Sequence, residues 1–217
     1  MNHLKDTYKH KGKRKILIES LKKSGINDSP ILEAFDAVPR HYFLDLVFDE
    51  QAYSNMAFQI GSGQTISHPF TVAFQTQLLE VKKGMKVLEI GTGSGFQTCI
   101  LCKLGTKVFS IERHKELHKK AKAMIGFFNF SARLFFGDGY KGNKTYAPYD
   151  RILVTCGAPK IPKELVAQLK NGGILVVPVG DGKEQKMIKL MKDSEGNTTE
   201  EDYGTFKFVP MLERKVN

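Results

Sequence analysis

The sequence predicts a doubly wound α/β sheet, mostly parallel, with a C-terminal antiparallel hairpin and an N-terminal helical extension. Three observations carry that expectation. From residue 69 onward, short apolar runs alternate with helical segments. The runs are apolar at consecutive positions, as befits parallel strands buried on both faces. Glycines and acids cluster just after the runs, where such sheets bind ligands.

The elements follow in order. Lys22 and Lys23 suit the last turn of a first helix, and Gly25 suits the left-handed residue that ends it. Ser29 and Pro30 read as an N-cap with proline at the first helical position. Ile31, Phe35 and Val38 form a stripe that Pro39 stops. Residues 40–66 read as irregular, with one or two short elements. Helices are expected at 69–80, 96–104, 117–128 and 163–169. Strands are expected at 86–90, 107–112, 132–136, 151–155 and 174–178. Residues 186–192 and 205–209 pair as a terminal hairpin across an acidic loop. Residues 1–68 are thus an extension with a covering loop, and 69–217 one compact core.

Composition excludes several classes. Of 217 residues, 41% are hydrophobic and 26% charged, an ordinary globular balance. The longest apolar run spans six residues, 174–179, whereas a membrane-spanning helix needs about 20. The basic first 20 residues have only 16–18 as an apolar stretch, short of a secretory signal core. Three cysteines cannot all pair within the chain. A soluble, cytoplasmic protein without a membrane partner is expected, with a monomer favoured. Net charge is +10, but residues 1–23 alone carry eight basic and two acidic side chains. That concentration suits a solvated helix better than a nucleic-acid surface, so nucleic acid is disfavoured as a partner.

The chemistry concentrates at the strand ends. Glu89 leads into Gly91, Gly93 and Gly95, a turn that brings backbone close to a ligand at a helix N-terminus. The third glycine comes one residue too early for a dinucleotide fingerprint, and Glu89 would repel phosphate. Glu112 ends the second strand 21 residues after Gly91, where a carboxylate meets ribose hydroxyls. Asp138 and Gly139 end the third strand, within reach of a base. A nucleoside ligand without phosphates fits this set; solvated acids beside a tight turn are the plainer reading.

These features resemble the class I S-adenosylmethionine-dependent methyltransferases and their Rossmann-like sheet. A longer series narrows the resemblance: VPRHYF (38–43), IGSGQTISHP (60–69), VLEIGTGSGFQ (87–97), GDG (137–139), PYD (148–150), QLKNGG (168–173), PVG (178–180) and FVP (208–210). In this order, from about residue 15 to 212, the chain resembles the protein-L-isoaspartate O-methyltransferase family. Phe96 stands where tyrosine is common, and Cys156-Gly157 replaces a more usual alanine pair. The resemblance implies S-adenosyl-L-methionine as cofactor and, as partners, damaged proteins and peptides bearing L-isoaspartyl residues. It implies cofactor contacts from Gln64, Thr65, Ile66, Ser67, Glu89, Gly91, Gly93, Gly95, Glu112, Asp138 and Gly139. Ser67 matches the family's active-site serine. Its position two residues before Pro69 also suits a helix cap or turn.

Other motifs lead nowhere comparable. Cys99 and Cys102 have redox spacing but lie inside a predicted buried helix, without a second pair for zinc. His114 and His118 share a helix face, yet the intervening glutamate is misplaced for a metalloprotease, and no metal is expected. His41 and His68 fit packing or surface roles as well as substrate roles. Two rivals stay open: an RNA-directed methyltransferase of the same class, and a non-catalytic binding module on the same fold.

Overall fold

A computed structural model describes residues 5–216, so residues 1–4 of the basic segment and of the 1–68 range, and residue 217, lie outside the described residues. The centre is a seven-stranded sheet. Its strands are β3 (Lys86–Ile90), β4 (Lys107–Glu112), β5 (Ala132–Phe136), β6 (Tyr149–Val154), β7 (Leu169–Val179), β8 (Gln185–Lys192) and β9 (Thr198–Phe206). They lie in the order β5-β4-β3-β6-β7-β8-β9, parallel from β5 through β7, with β8 antiparallel to both β7 and β9. The chain winds outward in one direction through β4 and β5, then in the other through β6 and β7. The carboxyl ends of β3 and β6 are therefore the switch point, where a crevice opens.

Both sheet faces are buried, which accounts for the continuous apolar runs. Leu88, Ile152, Val154, Leu175 and Val177 share one core cluster, and Val87, Leu153 and Val176 belong to the opposite one. The second cluster includes Leu78 and Leu79 of α3 (Pro69–Leu79) and Leu101 of α4 (Phe96–Lys103). α5 (Lys115–Phe127) connects β4 to β5, and α6 (Lys163–Gln168) precedes β7.

Ahead of the sheet come α1 (Tyr8–Lys23), α2 (Ser29–Ala37), two 3-10 turns (Arg40–Phe43 and Leu46–Gln51) and the hairpin β1 (Phe58–Gly61) with β2 (Gln64–Ile66). One cluster joins Leu17, Leu21, Ile31 and Phe35 to Phe58, Ile66, Val72, Phe96 and Ile100. The helices thus cover α3 and α4 and clamp the hairpin. A buried polar network adds to this. Arg14 donates to both oxygens of Asp6 (3.0 and 2.9 Å), to Asp36 and to Tyr53 Oη, which meets His41 Nδ1 at 2.7 Å.

Three local expectations change. Asp28, not Ser29, caps α2, because its side chain accepts from Ile31 N. Residues 40–66 are largely ordered elements too short to show a period. The final strand begins at Thr198, not 205, and takes in Glu200, Glu201 and Asp202 of the supposed acidic loop. It is an exposed edge strand, so no buried face forces alternation. One of its acids pairs with a lysine instead, Asp202 with Lys186 at 2.8 Å, and charged edges resist pairing with other chains.

Candidate active site

Two adjoining hollows, about 550 and 380 Å³, lie at the switch point. Thr65, Gly91, Gly93 and Thr155 line both, so they form one cleft. The first hollow continues past Ile90, Ile111, Glu112, Gly139 and Cys156 to Val209–Leu212 near the C-terminus. The second continues past Ile66, Ser67, Thr92, Ser94, Phe96 and Gln97. Of the predicted site residues, Gln64, Thr65, Ile66, Ser67, Gly91, Gly93, Glu112 and Gly139 are thereby brought to one cleft.

The glycine turn is built for close approach. Gly91 has φ +95°, and a Cβ there would stand 2.5 Å from Thr155 Oγ1. That hydroxyl belongs to the wall, donating to Gly91 O at 2.7 Å. Glu112 clasps the turn from β4: Oε2 accepts from Gly93 N at 2.8 Å and Oε1 from His114 N at 2.9 Å. Each oxygen has two lone pairs, so each retains capacity for a ligand hydroxyl.

Glu89, Gly95 and Asp138 line neither hollow. Glu89 lies beneath the turn, fully buried, where its Oε2 accepts from Thr98 Oγ1 (2.5 Å) and Ser110 Oγ (2.6 Å). Its Oε1 has no partner among the described residues. Burial pushes its carboxyl up to about 7, against the two hydroxyl donors, and the nearby Glu112 adds to the rise. A strand residue at position 89 alternates away from the cleft, which the run of apolar neighbours concealed. Gly95 packs on Ala121 of α5, 3.3 Å from a would-be Cβ. Asp138 accepts from Tyr140 N (3.0 Å) and Arg214 N (3.1 Å), tying the C-terminal segment to the end of β5.

The Ser67 segment owes its position to the N-terminal cover. Fully buried Arg40 donates to Ala52 O and Met56 O, both at 3.1 Å, and stacks over Phe96, 5.3 Å from the ring centre. That ties the loop before β1 to α4. Phe58 and Ile66 then fix the hairpin, and Ser67 follows β2 directly. No side-chain cap bond forms at the start of α3, where His68 is the N-cap residue. Ser67 therefore does not act as that helix's cap.

Sequence reasoning missed Thr155, Gln97 and the Val209–Leu212 wall. Thr155 carried a signal, the end of the fourth parallel strand. Away from the cleft, Asp6, His10 and His41 bring ligand-type atoms within 4.8 Å of one another. Arg14 occupies both Asp6 oxygens and Tyr53 occupies His41 Nδ1, so the group is a hydrogen-bonded hub.

Comparison with known proteins agrees with this fold. The family model described as Protein-L-isoaspartate(D-aspartate) O-methyltransferase (PCMT) matches residues 12–216. A protein-L-isoaspartate O-methyltransferase of Christiangramia forsetii is 52% identical, over 98% of this chain and 100% of that protein. One of Cytophaga hutchinsonii is 54% identical, over 96% and 95%. A solved structure of a protein-L-isoaspartate O-methyltransferase superposes with a TM-score of 0.81 at 28% identity, over 91% of this chain and 65% of that one. A Plasmodium falciparum structure, described as a complex with S-adenosyl-L-homocysteine, shares the fold with a TM-score of 0.80 at 24% identity, over 92% and 98%.

The state of Glu89 yields a pH prediction. Folded Glu89 holds its proton to about pH 7, whereas the unfolded group releases it near 4.5. The folded state binds more protons between those values, so stability falls as pH rises through them, by up to about 3 kcal/mol. Glu89→Gln keeps the neutral shape and removes that slope. Urea unfolding at pH 5 to 8 should show the variant gaining on the wild type as pH rises; parallel curves would place the proton elsewhere.

Proposed function

The chain belongs to the protein-L-isoaspartate(D-aspartate) O-methyltransferase family, and from that premise we propose how its residues carry the reaction: transfer of the methyl group of S-adenosyl-L-methionine to the free α-carboxylate of L-isoaspartyl residues in damaged proteins and peptides. One observation supports this reading above the others. The Gln64–Ser67 segment and the glycine turn, far apart in sequence, wall the same cleft. A substrate-side hydroxyl thus stands beside a nucleoside site.

The lining residues fit the cofactor. Glu112 would receive the ribose hydroxyls, Gly139 and the neighbouring Asp138 would flank the adenine, and Gly91 and Gly93 would give the amino-acid end access to backbone. Glu89 and Gly95 would act through the turn, the one from below and the other by letting α5 approach. Bound S-adenosyl-L-methionine supplies an electrophilic methyl group on a sulfonium. The chain supplies no base, and none is needed: a free α-carboxylate has a pKa near 3.5 and is already a nucleophile at neutral pH. What remains is alignment and removal of water, and positioning alone is worth about 7–11 kcal/mol. Half-buried Ser67 would donate its hydroxyl proton to one carboxylate oxygen and leave the other free to attack. The methyl ester, once released, can close to a succinimide as the backbone amide nitrogen displaces methanol, and water reopens the ring in part as normal aspartate. Three unpaired thiols favour a reducing compartment, the cytoplasm, as its location.

The decisive test uses labelled S-adenosyl-L-methionine and two peptides that differ only in isoaspartate or aspartate at one position. Label should enter the isoaspartyl peptide alone; binding of cofactor with neither peptide methylated would overturn the substrate assignment. Glu112→Ala should weaken S-adenosyl-L-homocysteine binding about tenfold or more in calorimetry. Unchanged affinity would remove Glu112 from the ribose role. Ser67→Ala should lower kcat about tenfold or more and shift cofactor affinity by less than about threefold. The reverse pattern would make Ser67 a cofactor-loop residue.

A further inference from the structure

Gln97, in the first turn of α4, lines the second hollow and is only 7% exposed. The orientation of its amide is determined by a chain of two hydrogen bonds. Thr76 Oγ1 gives its single proton to Val72 O, one turn earlier in α3, at 2.7 Å. Towards Gln97 that hydroxyl acts as acceptor only. The Gln97 Nε2 group therefore takes the Thr76 side, donating at 3.0 Å, and the carbonyl oxygen takes the other. That Oε1 is buried and has no partner among the described residues. Buried acceptors are nearly always satisfied, so a donor belongs here.

The geometry of the cleft says what the donor is. A nucleoside whose ribose meets Glu112 occupies the first hollow. Any tail it carries passes the shared wall of Gly91, Gly93 and Thr155 into the second hollow, where Gln97 lies. An acceptor without charge, next to a turn rich in backbone N–H groups, suits the positive half of a zwitterion. We propose that Gln97 Oε1 accepts a hydrogen bond from the α-ammonium group of S-adenosyl-L-methionine and of its product S-adenosyl-L-homocysteine. Gln97 is thus a specificity-determining residue for ligands that carry an amino-acid end. This rests on the methyltransferase reading above, and it gives a role to the residue that ends the glycine motif of 87–97. Thr76 serves as the positioning residue that fixes which way the amide turns.

Calorimetry with two ligands separates this role from a packing role. S-adenosyl-L-homocysteine carries the amino-acid end; 5′-methylthioadenosine has the same nucleoside and sulfur without it. Gln97→Leu should weaken S-adenosyl-L-homocysteine about 10- to 100-fold, as for loss of a hydrogen bond to a charged group. Binding of 5′-methylthioadenosine should change less than about twofold. Thr76→Val, nearly the same shape, should give a smaller loss with the same selectivity, because it frees the amide to turn over. Equal losses for both ligands, or no loss for either, would overturn the proposal. Wild-type protein that binds neither ligand would overturn the methyltransferase reading itself, a separate result.

Discussion

The clasp of Glu112 on the glycine turn is the contact around which the site is arranged. Two backbone N–H groups, from Gly93 and His114, converge on one carboxylate that is 4% exposed. The turn is thereby fixed to β4 as well as to β3, and α4 starts from a set position. A second acid, Glu89, is buried beneath the turn, where loss of hydration disfavours its charged form. The fold resolves this by holding Glu89 neutral up to about pH 7, with Thr98 and Ser110 as its hydrogen-bonding partners. One acid lines the cleft and the other supports the turn from beneath.

The remaining half of the cleft depends on residues distant from the sheet. Arg40 donates to the Ala52 and Met56 carbonyls, and its guanidinium carbon lies over the Phe96 ring. Phe96 also lines the cleft and packs edge-on against Phe35 of α2, with ring centres 5.6 Å apart. A disturbance of α2 or of the 3-10 turns would therefore reach Ser67 through the hairpin and Phe96 through its ring. The extension is a structural part of the cleft, not an appendage.

Much of this was legible beforehand, for physical reasons that also explain the gaps. Strands β3, β4 and β5 fall on the expected residues because both faces are buried and glycine or acid ends each run. β9 escaped because an exposed edge strand imposes no period. The 58–66 hairpin escaped because strands of four and three residues are shorter than any window that reveals alternation. Within the cleft, residues brought there at a strand-end turn were readable, as Gly91 and Glu112 show. Gln97 was not, since its significance lies in a bond to Thr76 on another helix. Glu89 illustrates the converse: an acid beside a glycine turn reads as a ligand contact until strand alternation carries it beneath the sheet's edge.

The chemistry itself explains why the second hollow is lined by hydroxyls and amides in place of titrating groups. A methyl sulfonium is attacked by whatever nucleophile stands in line, and the intended one, a carboxylate, is weak. Any stronger nucleophile in the wall would compete for the same methyl group. Cys156 borders the first hollow and would be such a competitor as a thiolate. Burial pushes its thiol up to about 12, with Glu112 adding to the rise. At neutral pH the sulfur keeps its proton, and the thiolate, the reactive form, is scarce. The substrate carboxylate thus reacts without a base because it is already ionised, while burial keeps the thiol of the wall protonated and inert.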